Sequence, residues 1–144
     1  MMIIKQLSVF LENKPGRLCA ATDALAREGI NLSALTLADT SEFGILRLIV
    51  DQPDRAREVL MEAGIVVRIS DVLAIAMDDA PGGAVGILHL LSDAGLNIEY
   101  MYACVGKQSG KALMVVRTDD IELAEDILHR GGYGDVNPAD VYRL

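Results

Sequence analysis

The sequence predicts an α+β protein built from two small β-α-β-β-α-β units paired side by side, each an antiparallel sheet with both helices on one face. Three observations predict it. The stretches "ENKPGRLCAATDALAREGINL" (residues 12–32) and "DDAPGGAVGILHLLSDAGLNI" (residues 78–98) share one layout: a proline-glycine pair after an acidic or amide residue, an apolar-patterned run, then Gly, an aliphatic, Asn and another aliphatic. Their offset is constant, with Gly16 and Gly82, Gly29 and Gly95, and Asn31 and Asn97 each 66 positions apart. Segments of strand and helix periodicity follow in the same order in both halves. A chain of 144 residues is ordinarily one domain, since single cores form at about 100–150 residues. The offset instead divides it into repeats spanning 1–70 and 71–144. No Pro/Gly/Ser-rich linker separates them, because "IVVRISDVLAIAM" runs from one into the next with only Ser70-Asp71 as a polar break. Units this small bury little surface alone, so the halves are expected to share an interface.

Residues 3–11 alternate, with Leu7, Val9 and Leu11 on one face and Gln6 and Ser8 on the other, the pattern of a half-buried strand. Pro15 is compatible with a first helical position, where a missing N–H costs little, and Leu18, Ala21, Leu25 and Ile30 supply a helical stripe. Gly29 stops that helix, because glycine accepts the left-handed conformation after a helix end. "INLSALTLA" and "GILRLIVD" read as strands joined by a short hairpin loop over Thr40 to Phe43. "PDRAREVLMEAG" opens on proline, carries Ala56, Val59, Leu60 and Ala63 as its apolar stripe and stops at Gly64, after which "IVVRI" closes the unit as a fourth strand. The second half repeats this with "VLAIAM", a helix from about Gly82 to Ala94, "NIEYMYACV", "KALMVVRT", the helix "IELAEDILHRG" and a short last strand near "ADVY". A longer loop at Lys107 to Ser109 shifts the later offset to 68, as between Leu60 and Leu128. Right-handed crossovers then favour a split, ferredoxin-like topology in each half. "ILRLIV" and "ALMVV" are apolar on both faces while helices cover only one; the second face is then either a mildly apolar solvent surface or is covered by a second chain, which makes a homodimer an expectation.

Composition narrows the function. Hydrophobic residues make up 51% and charged residues 24% of the chain, a globular balance. The net charge of -8, without basic clusters, sets the chain against phosphate backbones and anionic lipids, so neither nucleic acid nor membrane is an expected partner. The start "MMIIKQLSVFLE" is interrupted by Lys5 and Gln6 and alternates like a strand rather than a leader peptide, and no apolar run approaches the roughly 20 residues of a membrane span. A cytoplasmic protein is expected. Cys19 and Cys104 have no CxxC spacing, which points to neither a disulfide framework nor a zinc site.

At Asn13-Lys14-Pro15-Gly16 and Asp79-Ala80-Pro81-Gly82 an amide or carboxylate can cap free N–H groups, proline presets the turn, and glycine lets a backbone or ligand approach. The positive end of a helix there also suits a small carboxylate. Asn31 and Asn97 each interrupt an apolar segment with an amide that both donates and accepts. The combination, D/N-x-P-G-x-L before the first helix and G-I/L-N-I/L after it, resembles the ACT domain, matched by "NKPGRL" and "GINL" in the first half and "DAPGGA" and "GLNI" in the second. The resemblance covers nearly the whole chain, in tandem, with no catalytic domain beside it. It implies a protein that binds a free amino acid between paired domains and regulates amino-acid metabolism, with an amino-acid metabolic enzyme as a further possible partner and no cofactor or metal. It also implies ligand contacts from Leu11, Asn13, Pro15, Gly16, Arg17 and Leu18, from Asn31 and Leu32, from Asp79, Pro81, Gly82 and Gly83, and from Asn97 and Ile98. Gly83-Ala84 stands where the first half has Arg17-Leu18, so the two sites need not be equivalent.

Within one unit the first helix separates the Pro-Gly loop from the following Asn by roughly 20 Å, at about 1.5 Å per residue. One small molecule cannot touch both, so a loop of one repeat is expected to face the Asn of the other. One such site joins Asn13, Gly16 and Arg17 to Asn97; the other joins Asp79, Gly82 and Gly83 to Asn31. A ligand carboxylate meets neutral Asn13 in the first and ionised Asp79 in the second, which favours the first. Tyr100 and Tyr102 are candidates for a wall there. Catalysis finds less support. His89 shares a helical face with Ser92 and Asp93, and His129 lies with Glu122, Glu125 and Asp126 on a polar helix side, where solvated side chains are a commoner outcome than a metal site. Two alternatives stand beside the sensor: a regulatory subunit that assembles with an enzyme without binding a ligand, and a small acylphosphatase-like enzyme with Arg17 holding phosphate, which lacks a glycine-rich cradle beside that arginine.

Overall fold

The computed structural model describes residues 2–39, 42–105, 110–137 and 141. Two compact units emerge, one built from Lys5–Ser70 and the other from residue 71 onward together with the first four residues of the chain.

In the first unit, β1 (Ile3–Glu12) pairs antiparallel with β3 (Phe43–Val50), and β3 pairs antiparallel with β2 (Leu32–Asp39). The start of β4 (Val66–Asp78) lies on the other side of β1, giving the order β2-β3-β1-β4. Helices α1 (Arg17–Arg27) and α2 (Pro53–Glu62) pack against each other. Leu7, Val9 and Leu11 from β1, Leu46, Leu48 and Val50 from β3, Ala21 and Leu25 from α1, and Ala56 and Leu60 from α2 form one core. Period two in the strands and period 3.6 in the helices thus meet on one face. Gly29, at φ 70, ends α1, with its N–H bonded to the Ala26 carbonyl and the Ile30 N–H to the Leu25 carbonyl. Leu35 and Leu37 lie on the helix-side register of β2, across from Leu48 and Leu46, yet stay 56% and 50% exposed because β2 is an edge strand.

The second unit follows the same plan. β4 pairs antiparallel with β6 (Lys111–Thr118), which pairs with β5 (Ile98–Val105), and α3 (Val85–Asp93) packs on α4 (Ile121–Arg130). Leu73, Ile75, Met114, Val116, Ile87, Leu91, Ala124 and Leu128 make its core. The fold class expected from sequence is therefore present in both halves: a β-α-β-β-α-β-like antiparallel sheet with two helices on one side.

Three details differ from expectation. The strand expected near "ADVY" is not found where the chain is described: residues 133–137 carry no strand, Val141 is helical, and Ala139, Asp140 and Tyr142 lie outside the described residues. Its place beside β4 is taken by the start of the chain, where the Met2 carbonyl accepts from the Ala74 N–H at 2.8 Å and the Met2 N–H donates to Glu125 Oε2 at 2.8 Å. Met2 is fully buried and belongs to the second core. "IVVRI" and "VLAIAM" are not two strands but one of 13 residues, running through Ser70 and Asp71. On the face away from the helices, Val72 and Ala74 are fully buried and Val115 is 1% exposed, so this face is partly covered within one chain. The loop at Lys107 to Ser109 and the tip at Thr40 and Ser41 lie outside the described residues.

Candidate functional site

Gly16 has φ 87 and ψ -12, and the Arg17 N–H bonds back to the Lys14 carbonyl at 3.3 Å. These are the marks of a type II turn with Pro15 in the second position and glycine in the third, where only a residue without Cβ is unstrained. The turn therefore sits before the helix. Pro15 is not its first residue; α1 begins at Arg17. The expected side-chain cap is absent as well: the residue at the cap position of α1 is Gly16, which has no side chain to bond, and the Asn13 N–H is held by the Glu42 carbonyl at 3.0 Å. The second loop repeats the arrangement: Gly82 has φ 82, the Gly83 N–H bonds the Ala80 carbonyl, and the Asp79 N–H bonds the Gly110 carbonyl. Its turn continues to Ala84, so α3 starts at Val85 rather than near Gly82. A Cβ at Gly16 or Gly82 would meet nothing within 4 Å, so the backbone angle, not a close approach, requires glycine at both. Gly83 differs, because a Cβ there would stand 2.0 Å from the Asp78 carbonyl oxygen.

The strand-opening asparagines are anchored by a pair of carboxylates that sequence reasoning did not single out. Asp51 Oδ1 accepts from the Asn31 N–H and Asp119 Oδ1 from the Asn97 N–H, both at 3.1 Å. Their shared offset of 68 was the available signal. Both Asn side chains remain exposed.

In the first unit Asn13, Pro15, Gly16 and Arg17 gather at one end of α1, and Asn31 opens the strand beyond the other, an 11-residue helix or about 16 Å away. Leu11 is 6% exposed and, with the partly buried Leu32, packs into the first core, while Ile98 packs into the second. These three are held by packing, whereas Leu18 stays exposed. Asp79, Pro81 and Gly82 are exposed at the start of the second loop, and Asn97 at the end of α3. Tyr100 and Tyr102, half-buried, pair in register with Arg117 and Val115.

Charge differs between the loops. Lys14 Nζ stands 3.0 Å from Glu12 Oε2, and that bond, with the charges of Lys14 and Arg17, lowers the Glu12 carboxyl below its ordinary range. In the second unit Asp78 takes the place of Glu12 and Lys111 lies opposite it in the β4–β6 register, bonded through Nζ to Asp78 Oδ1. Beside this pair is a cavity of about 340 Å³, bounded by the end of β4 from Ala76, by Gly83, by Lys111 and by residues 132–134. Tyr133 reaches over α3: a Cβ on Gly86 would stand 2.6 Å from its hydroxyl. Of the expected site residues Gly83 alone lines this cavity; Asp78, Lys111 and Tyr133 were not among them.

The titratable clusters weighed for catalysis or metal are dispersed. His129 Nε2 meets Asp135 Oδ1 at 2.6 Å, Asp126 pairs with Arg130, and Glu125 holds the Met2 N–H. Among the described residues no group of three or more His, Cys, Asp or Glu side chains is placed to hold a metal ion, and no helix is long and apolar enough to cross a membrane.

A duplicated β-α-β-β-α-β-like unit with a Pro-Gly turn before its first helix and an anchored Asn after it is a ferredoxin-like α+β fold. The chain belongs to the ACT domain family: the model of an ACT domain pair matches residues 2–139. A protein from Bacteroides thetaiotaomicron, known as a crystal structure, is 40% identical over 99% of this chain and 98% of that one, with a TM-score of 0.92. The regulatory subunit of aspartate kinase from Thermus thermophilus, in its ligand-free form, shares the fold at 16% identity and a TM-score of 0.62, covering 91% of this chain and 97% of that one. E. coli aspartokinase III, in complex with aspartate and ADP, is 22% identical with a TM-score of 0.55, over 90% of this chain and 32% of that one. No curated protein matches the chain.

Proposed function

We propose that this protein is a non-catalytic regulatory sensor of a small free amino acid, which it takes up at the Pro-Gly turns before α1 and α3. The observation that supports this reading most is the duplication of a specialised loop. Both copies keep a left-handed glycine, a main-chain bond across the turn and a carboxylate-anchored Asn beyond the helix, features that a pair of plain helix starts does not require. At each turn exposed main-chain groups at a helix start suit a carboxylate. A unit's own Asn lies a helix length from its turn, so one small ligand does not span both. We place this sensor in the cytoplasm, where free amino acids are metabolised, and assign it a homodimer in which the half-exposed Leu35 and Leu37 of β2 contribute to the contact.

A thermal shift series against the twenty free amino acids tests the reading. Binding to the native state alone adds about 2.7 kcal/mol when the ligand exceeds Kd a hundredfold. If none of the twenty moves the midpoint at millimolar concentration, the sensor reading is wrong. A second reading is favoured by the likeness to a separate regulatory subunit of aspartate kinase of nearly the same length: the chain assembles with an amino-acid metabolic enzyme without binding a ligand. Co-purification with such an enzyme, in the absence of any amino-acid response, is the result that would select it.

A further inference from the structure

Comparison of the two halves of the chain shows why the second unit has room beside its turn. At the positions bounding the cavity, the second half carries Ala76, Gly83, Lys111 and Gly134 where the first half, at offsets of 66 and 68, carries Phe10, Arg17, Phe43 and Val66. The equivalence is fixed by main-chain structure: Asp78 pairs with Lys111 as Glu12 pairs with Phe43, and the Tyr133 N–H bonds the Leu128 carbonyl as the Ile65 N–H bonds that of Leu60. Three aromatic or long side chains have become small or flexible around one space, and a bulky Val has become glycine. One lining change runs the other way: Tyr133 stands where the first half has Ile65, and adds a ring to one wall of that space. The volume of about 340 Å³ falls at the lower end of the roughly 300–1,000 Å³ typical of small-molecule sites.

The lining defines the ligand's chemistry. Lys111 and Asp78 place opposite charges side by side at the rim, Tyr133 offers a ring and a hydroxyl, and Met77 offers an apolar surface. An anion alone meets the repulsion of Asp78, and a cation alone that of Lys111. A zwitterion satisfies both, and the pair it displaces is exposed, hence of little worth on its own.

We infer that the second unit contains an amino-acid site of its own, which binds a small α-amino acid zwitterion with its carboxylate on Lys111 and its ammonium on Asp78, the side chain lying against Met77 and Tyr133. This rests on the amino-acid reading above and narrows it to one unit. It also reverses the preference drawn from charge in the sequence, which weighed Asp79 against Asn13 without Lys111, whose place opposite Asp78 only the strand register reveals.

Isothermal titration calorimetry with the twenty free amino acids, on the full chain, tests it. Lys111→Met and Asp78→Asn remove one charge each from exposed positions, and Ala76→Phe restores the bulk of the first half at an exposed position on β4. Each is checked for folding by its circular dichroism melt, and the two charge variants keep the test decisive should Ala76→Phe fail to fold. The expected result is a roughly tenfold or greater rise in Kd for each folded variant. The N-acetyl and amide derivatives of the best-binding amino acid, which lack the ammonium or the carboxylate, are likewise expected to bind at least about tenfold more weakly. If the wild-type chain binds an amino acid and the folded variants bind it equally well, the site lies elsewhere and the sensor reading survives without this one. If the wild-type chain binds none of the twenty, both fall.

Discussion

Replacing Met2 by alanine tests whether the start of the chain completes the second unit in solution. Met2 is fully buried among Leu73, Ile75, Met114 and Leu128, and its carbonyl and N–H are bonded to Ala74 and Glu125. Truncating a buried methionine costs about 2–5 kcal/mol, the loss of transfer free energy plus that of the cavity left behind. Neighbours at a strand end can relax inward, which places this case at about 2–3 kcal/mol. For a chain of this length each kcal/mol moves the midpoint by about 2–4 °C, so Met2→Ala is expected to melt roughly 4–12 °C below wild type. Differential scanning calorimetry reads the shift, and hydrogen exchange reads its location, because the Ala74 amide should lose protection before the amides of α1 and α2. Met2→Leu, which keeps the volume, should cost under about 1.5 kcal/mol. A Met2→Ala protein that melts within a degree of wild type, with Ala74 still protected, would refute the claim that the start of the chain helps complete the second unit.

Three further outcomes follow from the loops and the thiols. Gly16→Ala and Gly82→Ala should each destabilise by about 1–2 kcal/mol in urea unfolding, since both positions hold left-handed backbone with free space beyond, and strain is the whole cost. Glu12 titrates below its ordinary range when folded, so its contribution to stability is present above the unfolded pKa and is lost as pH falls through the folded one; in Lys14→Met its carbon resonances should titrate at higher pH, a change shrinking in high salt because the pair is exposed. Half-burial pushes the Cys104 thiol up, while Cys19 is exposed on α1, so Ellman's reagent at pH 8 should label Cys19 in a fast phase and Cys104 in a slow one.

The elements were legible in the sequence because each is set locally. Alternation over residues 3–11, the stripe from Ala21 to Leu25 and the stop at Gly29 all depend on neighbours within a few positions, and the family pattern rests on the same short stretches. The Pro-Gly turn was legible as a loop but not as a type II turn, because Pro suits a first helical position and a turn's second position equally well. What sequence could not reveal is pairing across distance. Nothing in the sequence around Met2 shows that it lies beside Ala74, and nothing in Ser70-Asp71 shows that one strand runs through it. Lys111 read as the plain start of a strand until register set it opposite Asp78. The cavity is the clearest case: each small residue around it is unremarkable alone, and only their convergence in space gives them meaning.

The borrowed strand also has a consequence for how the protein is made. Met2 and its partner Glu125 are separated by 123 positions, so at about 5–20 residues per second a ribosome needs roughly 6–25 s to deliver the second after the first. The leading hydrophobic residues must wait through that interval without their final partners, while Leu7 to Leu11 of the same strand already have theirs in the first unit. Closure of so distant a contact is slow relative to hairpin and helix formation, which puts the docking of Met2 among the last events of folding and leaves that segment open to chaperones and proteases in the meantime.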